Sequence, residues 1–270
     1  MIPKKSLGQH WLHDPATLAA ICNEAQLQPD DIVLEIGPGL GTLTVQLAQR
    51  VKQVIAVEFD KTLADALPGR VPAAHVQVIH ADILRFDLST LPKNYKVVAN
   101  VPYYITSKIT RLLLESPHPP SLATLLVQKE VAQRMAALPG RMSILAVAAQ
   151  FYADVKLGPI VPAQLFTPPP EVDSQVITLV RRSQPLFADI NTALFFRVVR
   201  AGFSEKRKKL RNSLSGGLHL DKQMVENILQ TATIDKQARA EQLSLQDWYA
   251  LTKIYEQVGA ALVATAPTSG

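Results

Sequence analysis

Five short apolar runs, at residues 32–36, 54–57, 76–79, 96–99 and 122–127, recur with helical patterns between them. Runs of that length, each followed by a helix, specify a mostly parallel sheet covered on both faces. Asp14-Pro15 reads as a cap and first-turn proline for a helix to about residue 26. Thr42 is placed to cap a helix to about residue 50, and another helix is predicted over 61–67. After Tyr152 two more strand-like segments, 155–161 and 176–180, are suited to close the sheet with antiparallel edges. Residues 182–189 read as a linker, and beyond it the pattern is helical over 193–214, 222–230 and 245–258. The expected architecture is α/β, with a Rossmann-like domain over 1–181 and a small C-terminal α-helical domain over 190–262.

Composition narrows the function classes. The single cysteine, Cys22, excludes an intramolecular disulfide and a zinc site built from several cysteines. Its helical spacing with Leu18, Ile21 and Ala25 predicts a buried structural thiol. No apolar run is long enough for a bilayer, and the N-terminus lacks the apolar stretch of a secretory signal, so a cytoplasmic protein without a membrane partner is expected. His10 and His13 have no matching carboxylate or cysteine cluster, so no metal site is expected. A net charge of +5 suits a polyanionic partner.

Glu35-Ile36-Gly37-Pro38-Gly39-Leu40-Gly41-Thr42 joins the first strand to the next helix, at the edge of the sheet where such folds bind ligands. The glycines follow G-x-G-x-G, one residue short of the dinucleotide pattern G-x-G-x-x-G, and no Lys-Ser/Thr pair follows as in a P-loop. That spacing disfavours a nicotinamide oxidoreductase. Glu58 ends the second strand, where an acid can accept both hydroxyls of a ribose. Asp82 follows the third strand and Asn100 the fourth, so three polar side chains converge on one crevice.

The segment Asn100-Val101-Pro102-Tyr103-Tyr104-Ile105 completes a set. With residues 5–12 (KSLGQHWL), the 35–42 turn, Val57-Glu58-Phe59-Asp60, residues 166–174 (FTPPPEVDS) and 207–214 (RKKLRNSL), the chain resembles the ribosomal RNA adenine N6-dimethyltransferases. Within that family it is most similar to the branch acting on small-subunit (16S) rRNA. The resemblance implies a class I S-adenosylmethionine-dependent methyltransferase sheet, 16S rRNA in the small subunit or its precursor as partner, and action as a monomer. It implies a cofactor site of His10, Leu12, Gly37, Glu58, Asp82 and Asn100. Glu58 would hold the ribose, Asp82 the adenine amino group, and residues 9–12 would fold over the cofactor. Trp11, Val101 and Glu171 depart from the family pattern, which usually has phenylalanine, leucine or isoleucine, and lysine there.

The implied chemistry is simple. An exocyclic adenine amine is a poor nucleophile because its lone pair is delocalised into the ring. If the Asn100 oxygen and the carbonyl of Val101 or Pro102 accept its two hydrogens, the nitrogen moves toward tetrahedral geometry and its lone pair becomes available. Tyr103 and Phe166 are expected to sandwich a base that has left its stack. Two alternatives stay in view: a resistance-type enzyme acting on large-subunit (23S) rRNA, and a non-catalytic rRNA-binding assembly factor.

Arg197, Arg200, Ser204, Arg207 and Arg211 fall on one side of a helix at 3.6-residue periodicity, beside an apolar stripe of Phe196, Val199, Phe203, Leu210 and Leu214. With Lys206, Lys208 and Lys209 nearby and few acidic residues, the face is expected to bind phosphates. Lys4 and Lys5 are expected to extend it.

Overall fold

A computed structural model describes residues 3–4, 7–205 and 207–264 of the chain. The chain forms two units, Met1–Ala136 with Tyr152–Ser183, and Ala137–Phe151 with Gln184–Gly270.

The strands of the first unit are β1 (Trp11–Leu12), β2 (Ile32–Ile36), β3 (Gln53–Glu58), β4 (Val76–His80), β5 (Lys96–Asn100), β6 (Leu122–Gln128), β7 (Ala153–Val161), β8 (Phe166–Thr167) and β9 (Ser174–Arg181). Seven of them form one sheet in the order β4-β3-β2-β5-β6-β9-β7. The first five are parallel, and β9 lies antiparallel between β6 and β7, as the late strand-like segments suggested. Its helices are α1 (Pro15–Glu24), α2 (Thr42–Ala48), α3 (Lys61–Arg70), α4 (Thr106–Glu115) and α5 (Lys129–Met135). Leu18, Ile21 and Cys22 of α1, Leu43 and Leu47 of α2, and Val33, Val54, Val98 and Leu126 of the sheet share one core. The Cys22 thiol is buried in it as expected, and burial pushes its pKa up to about 11.

Local chemistry sets the helix starts. Asp14 accepts the Thr17 amide at 2.8 Å, with Pro15 in the first turn of α1. Asp60 accepts the Thr62 amide at 3.0 Å and begins α3. The cap of α2 is Gly41, not Thr42. Its φ is +85°, and a Cβ there would come within 2.7 Å of Leu67 and 2.9 Å of Val71, so only glycine fits both the turn and the packing. The Thr42 hydroxyl instead donates to the Leu12 carbonyl at 2.9 Å, tying the N-terminal segment to the turn.

The second unit holds α6 (Ile144–Tyr152) up to Phe151, and α7 (Thr192–Gly202), α8 (Leu210–Leu218), α9 (Lys222–Thr231) and α10 (Leu245–Ala264). Residues 137–151 belong here although the last two strands of the sheet follow them, because Phe151 packs on Phe195 and Phe196 at ring separations of 4.8 and 5.2 Å. A single boundary near residue 181 leaves that segment on the other side.

The helix expected over 193–214 is two helices. α7 ends at Gly202, where a Cβ would lie 2.4 Å from Trp248, and the chain turns before restarting at Leu210, whose amide bonds to Ala238 at 2.8 Å. Phe196, Val199 and Phe203 are buried on one side of the break and Leu210 and Leu214 on the other, so the apolar stripe runs through a turn that is not helical. Among the described residues, no helix is long and apolar enough to cross a membrane.

Candidate active site

The C-terminal ends of β2, β3 and β5 open on a cavity of about 300 Å³. Its wall includes His10, Leu12, Gly37, Glu58, Asp82, Asn100, Pro102 and Tyr103, so eight of the expected cofactor and catalytic residues come together there. Gly37 and Gly39 take φ of +68° and +59°, and no atom lies within 4 Å of where a Gly37 Cβ would stand. The Gly37 amide bonds to the Val57 carbonyl at 2.9 Å, fastening the turn to the end of β3.

Glu58 receives two backbone amides, Gly39 at 3.0 Å and Asp60 at 2.8 Å, one on each carboxylate oxygen. Burial pushes its pKa up, and those amides offset part of the effect. The Phe59 amide also bears on this carboxylate, which stands at the cavity wall. Asp82 accepts the Leu84 amide at 2.9 Å through one oxygen, which leaves the other for a ligand donor.

Asn100 ends β5. Its side-chain nitrogen donates to the His10 carbonyl at 3.1 Å, so the carboxamide oxygen is the atom left to accept a hydrogen at the cavity wall. The Tyr103 hydroxyl bonds to Ser174 Oγ at 2.7 Å, which fixes the plane of the ring. Burial raises its pKa, so the phenol stays neutral.

Phe166 corrects the sandwich. It is 2 % exposed, sits in the core, pairs with Leu12 across β8 and β1, and does not line the cavity. A benzyl group without polar atoms gains more from that core than from a wet cleft. The ring stacked on Tyr103 is His10, at 5.6 Å and 17°, with its Nδ1 2.8 Å from the Pro168 carbonyl. Glu171, the charge reversal, is exposed and outside the cavity wall.

Among the cavity residues to which sequence reasoning gave no role, Glu35, Trp11, Phe59 and Tyr104 stand out. Glu35 is buried with Oε2 unpartnered, as is the hydroxyl of nearby Thr44, and burial pushes the carboxyl pKa up to about 8. Trp11 has a buried, unpartnered indole nitrogen. Phe59 and Tyr104 stand 56 % and 61 % exposed at the rim. Their neighbours Glu58 and Tyr103 carry the motif signal, and nothing in the letters shows that these rings face solvent.

The basic residues fare unevenly. Arg197, Arg200, Arg207 and Lys208 are exposed, but the break after Gly202 removes the common helix face on which they were placed. Lys208 pairs with Glu205 at 3.4 Å, and Arg211 is bound to Glu226 of α9. Lys4 extends no basic surface through its own contacts. Its ammonium meets Asp60 at 2.8 Å and holds that carboxyl below the usual range. Lys5 and Lys206 lie outside the described residues.

Residues 3–257 match the family described as ribosomal RNA adenine dimethylase. A ribosomal RNA small subunit methyltransferase A of Dehalococcoides mccartyi (strain 195) is 42 % identical over 258 residues, covering 94 % of this chain and 89 % of the relative. One of Bacillus pumilus is 40 % identical over 267 residues, covering 94 % and 91 %. The crystal structure of a dimethyladenosine transferase from Plasmodium falciparum superposes with a TM-score of 0.79 at 26 % identity, covering 93 % and 98 %. That of the 23S rRNA methyltransferase ErmE gives 0.73 at 31 %, covering 92 % and 100 %. The chain is a member of the ribosomal RNA adenine dimethylase family.

Proposed function

We propose that the protein transfers methyl groups from S-adenosylmethionine to the N6 amino groups of two adjacent adenines in small-subunit (16S) rRNA. The observation that carries this reading is the Asn100 carboxamide, pinned through its nitrogen to the His10 carbonyl of the N-terminal strap (residues 7–12) with its oxygen left to accept. The small-subunit assignment draws on relatives of that name at 40 to 42 % identity, against 31 % for the large-subunit enzyme ErmE.

The cavity suits the cofactor. Gly37 leaves open space beside the turn, Glu58 stands at the wall as an acceptor for ribose hydroxyls, and Asp82 keeps one oxygen for an adenine amine. Buried polar atoms without protein partners, Glu35 Oε2 and Trp11 Nε1, are the mark of a wall finished by a ligand. His10 and Leu12 on the strap close the same wall. When bound, S-adenosylmethionine supplies an electrophilic methyl group on a sulfonium sulfur.

The chain's residues do the rest. Tyr103, held flat by Ser174 and His10, stacks the target base, a contact worth about 1–3 kcal/mol. The Asn100 oxygen and a backbone carbonyl accept the amine's two hydrogens and draw the lone pair out of conjugation. Of the two carbonyls expected, Val101 suits this better, because the Pro102 oxygen already takes the Ile105 amide at 3.2 Å and the Thr106 hydroxyl at 3.4 Å. These acceptors face positive charge that grows only during transfer, so they lower the barrier more than they tighten ground-state binding. No strong base is needed, because the methylated amine is acidic enough to lose its proton to water. The unit made of residues 1–136 and 152–183 forms the catalytic domain in this reading. Residues 190–262 contribute rRNA binding through Arg197, Arg200, Arg207 and Lys208, with Arg211 holding α8 to α9. An rRNA substrate places the enzyme in the cytoplasm.

Incubation of small-subunit and large-subunit particles with methyl-labelled cofactor, followed by mapping of modified adenines, tests this. Label on N6 of two neighbouring adenines in the small subunit is expected. Label confined to the large subunit, or none, would overturn it.

A further inference from the structure

The cavity does not end at Tyr103. The next ring, Tyr104, lines its mouth yet stands 61 % exposed. Its seat is Gly8, with φ +59°, where a Cβ would lie 3.3 Å from Tyr104 Cδ1. One edge of the ring is therefore backed by the strap while much of it faces solvent. One helical turn on, exposed Lys108 borders the cavity mouth and an adjoining open groove of about 940 Å³, which Leu84 also borders on both sides. Lys108 has no ion pair or hydrogen bond among the described residues, whereas Arg111 is committed to Glu115 at 3.0 Å through two nitrogens. The groove's other carboxylate, Asp87, accepts the Ser89 amide at 2.9 Å. Asp87 and Glu115 border the groove alone, so the charged side chain at the junction of groove and cavity is Lys108.

A base that leaves its stack to enter the cavity strips one face of its neighbour as well. Resting on the reading above, we propose that Tyr104 and Lys108 form a subsite for the nucleotide next to the target. Its base lies on the Tyr104 ring, its phosphate meets Lys108, and the strand runs on along the groove past Leu84. An aromatic ring beside a cation is the arrangement that holds single-stranded nucleic acid with little regard to base identity.

The test is steady-state methyl transfer to small-subunit particles by Tyr104→Ala, Tyr104→Leu, Tyr104→Phe and Lys108→Ala, with calorimetry of S-adenosylhomocysteine for each. Leucine keeps apolar bulk on Gly8 but offers no π face. Alanine and leucine are expected to raise the apparent KM for the particle about tenfold, with phenylalanine within about twofold of wild type. Homocysteine-cofactor affinity stays at the wild-type level in all four. Lys108→Ala lowers the slope of log affinity against log salt by about 0.7. A wild-type KM in Tyr104→Leu, or cofactor affinity falling along with particle affinity, overturns the subsite. So does a photocrosslinker at position 104 that captures a ribosomal protein in place of the rRNA strand. If wild type methylates the particle while the variants do not differ from it, the subsite alone fails; if wild type does not methylate it, the reading beneath fails.

Discussion

The cavity at the ends of β2, β3 and β5 and the basic segment around the α7–α8 turn both gather polar side chains, yet hold them in opposite ways. In the cavity each group is tied to backbone: Glu58 by two amides, Asp82 by one, Asn100 by the strap carbonyl. Around the turn, Arg197, Arg200 and Arg207 are exposed and have no partner among the described residues. Fixed groups at a cavity wall act strongly over short distances and cost no reorganisation when a substrate arrives. Exposed cations act over a longer range, weakly one by one, and are screened by salt. The first arrangement suits chemistry on one atom, the second suits capture of a long polyanion.

That contrast breaks most sharply at the two rings first expected to act together. Phe166→Ala should cost about 3–5 kcal/mol in a denaturant unfolding curve, because the ring fills the core under β1. Tyr103→Ala should cost less stability and raise the KM for the particle. If the two swapped these signatures, the division of rings between core and cavity would be wrong. Asn100→Ala comes next, with methyl transfer falling about 10²–10³-fold, the scale of losing one aimed polar group. Circular dichroism and melting temperature should stay near wild type, since the lost bond to His10 is a single contact on the strap.

The parts of this molecule that are legible in the sequence are those where function depends on a few consecutive residues. The 35–42 turn and the 100–103 segment each follow a strand end, and a strand end in a parallel sheet opens on the ligand crevice. Residues 155–161 and 176–180 likewise carry their strand pattern locally. Long-range packing is where letters mislead. Nothing near Gly202 shows that Trp248, in a distant helix, leaves no room for a side chain there. Apolar residues on both sides of the break keep the 3.6 period, so two helices imitate one. Phe166 fails similarly, because its partner in the core is Leu12, far away in the chain.

A smaller effect sharpens the electrostatic half of the contrast. Burial, with the Glu58 carboxylate nearby, pushes the Glu35 pKa up to about 8 in the folded state, against about 4.5 when unfolded. Between those values the folded chain keeps a proton that the unfolded chain has lost, so stability falls as pH rises through that window. Glu35→Gln keeps the shape but cannot ionise. Its melting temperature should therefore gain on wild type between pH 5 and pH 8. Parallel curves across that range would mean that the carboxyl is not dry.

The smallest effect per residue, and the one that reports on the exposed region, is the salt response. Arg207→Ala removes one exposed cation, so its affinity for the particle should fall a few-fold at low salt. The slope of log affinity against log salt should decrease by about 0.7 to 0.9, the signature of one fewer released counterion. Arg211→Ala makes the internal control. Its guanidinium is half-buried against Glu226, so its loss strands a carboxylate and should lower the melting temperature with little change in slope. Asn100→Ala, by contrast, should leave the slope untouched while abolishing most turnover. An Arg207→Ala slope equal to wild type would mean that this segment does not meet phosphate, and the molecule's polyanion contacts would then have to be sought nearer the cavity mouth, at Lys108.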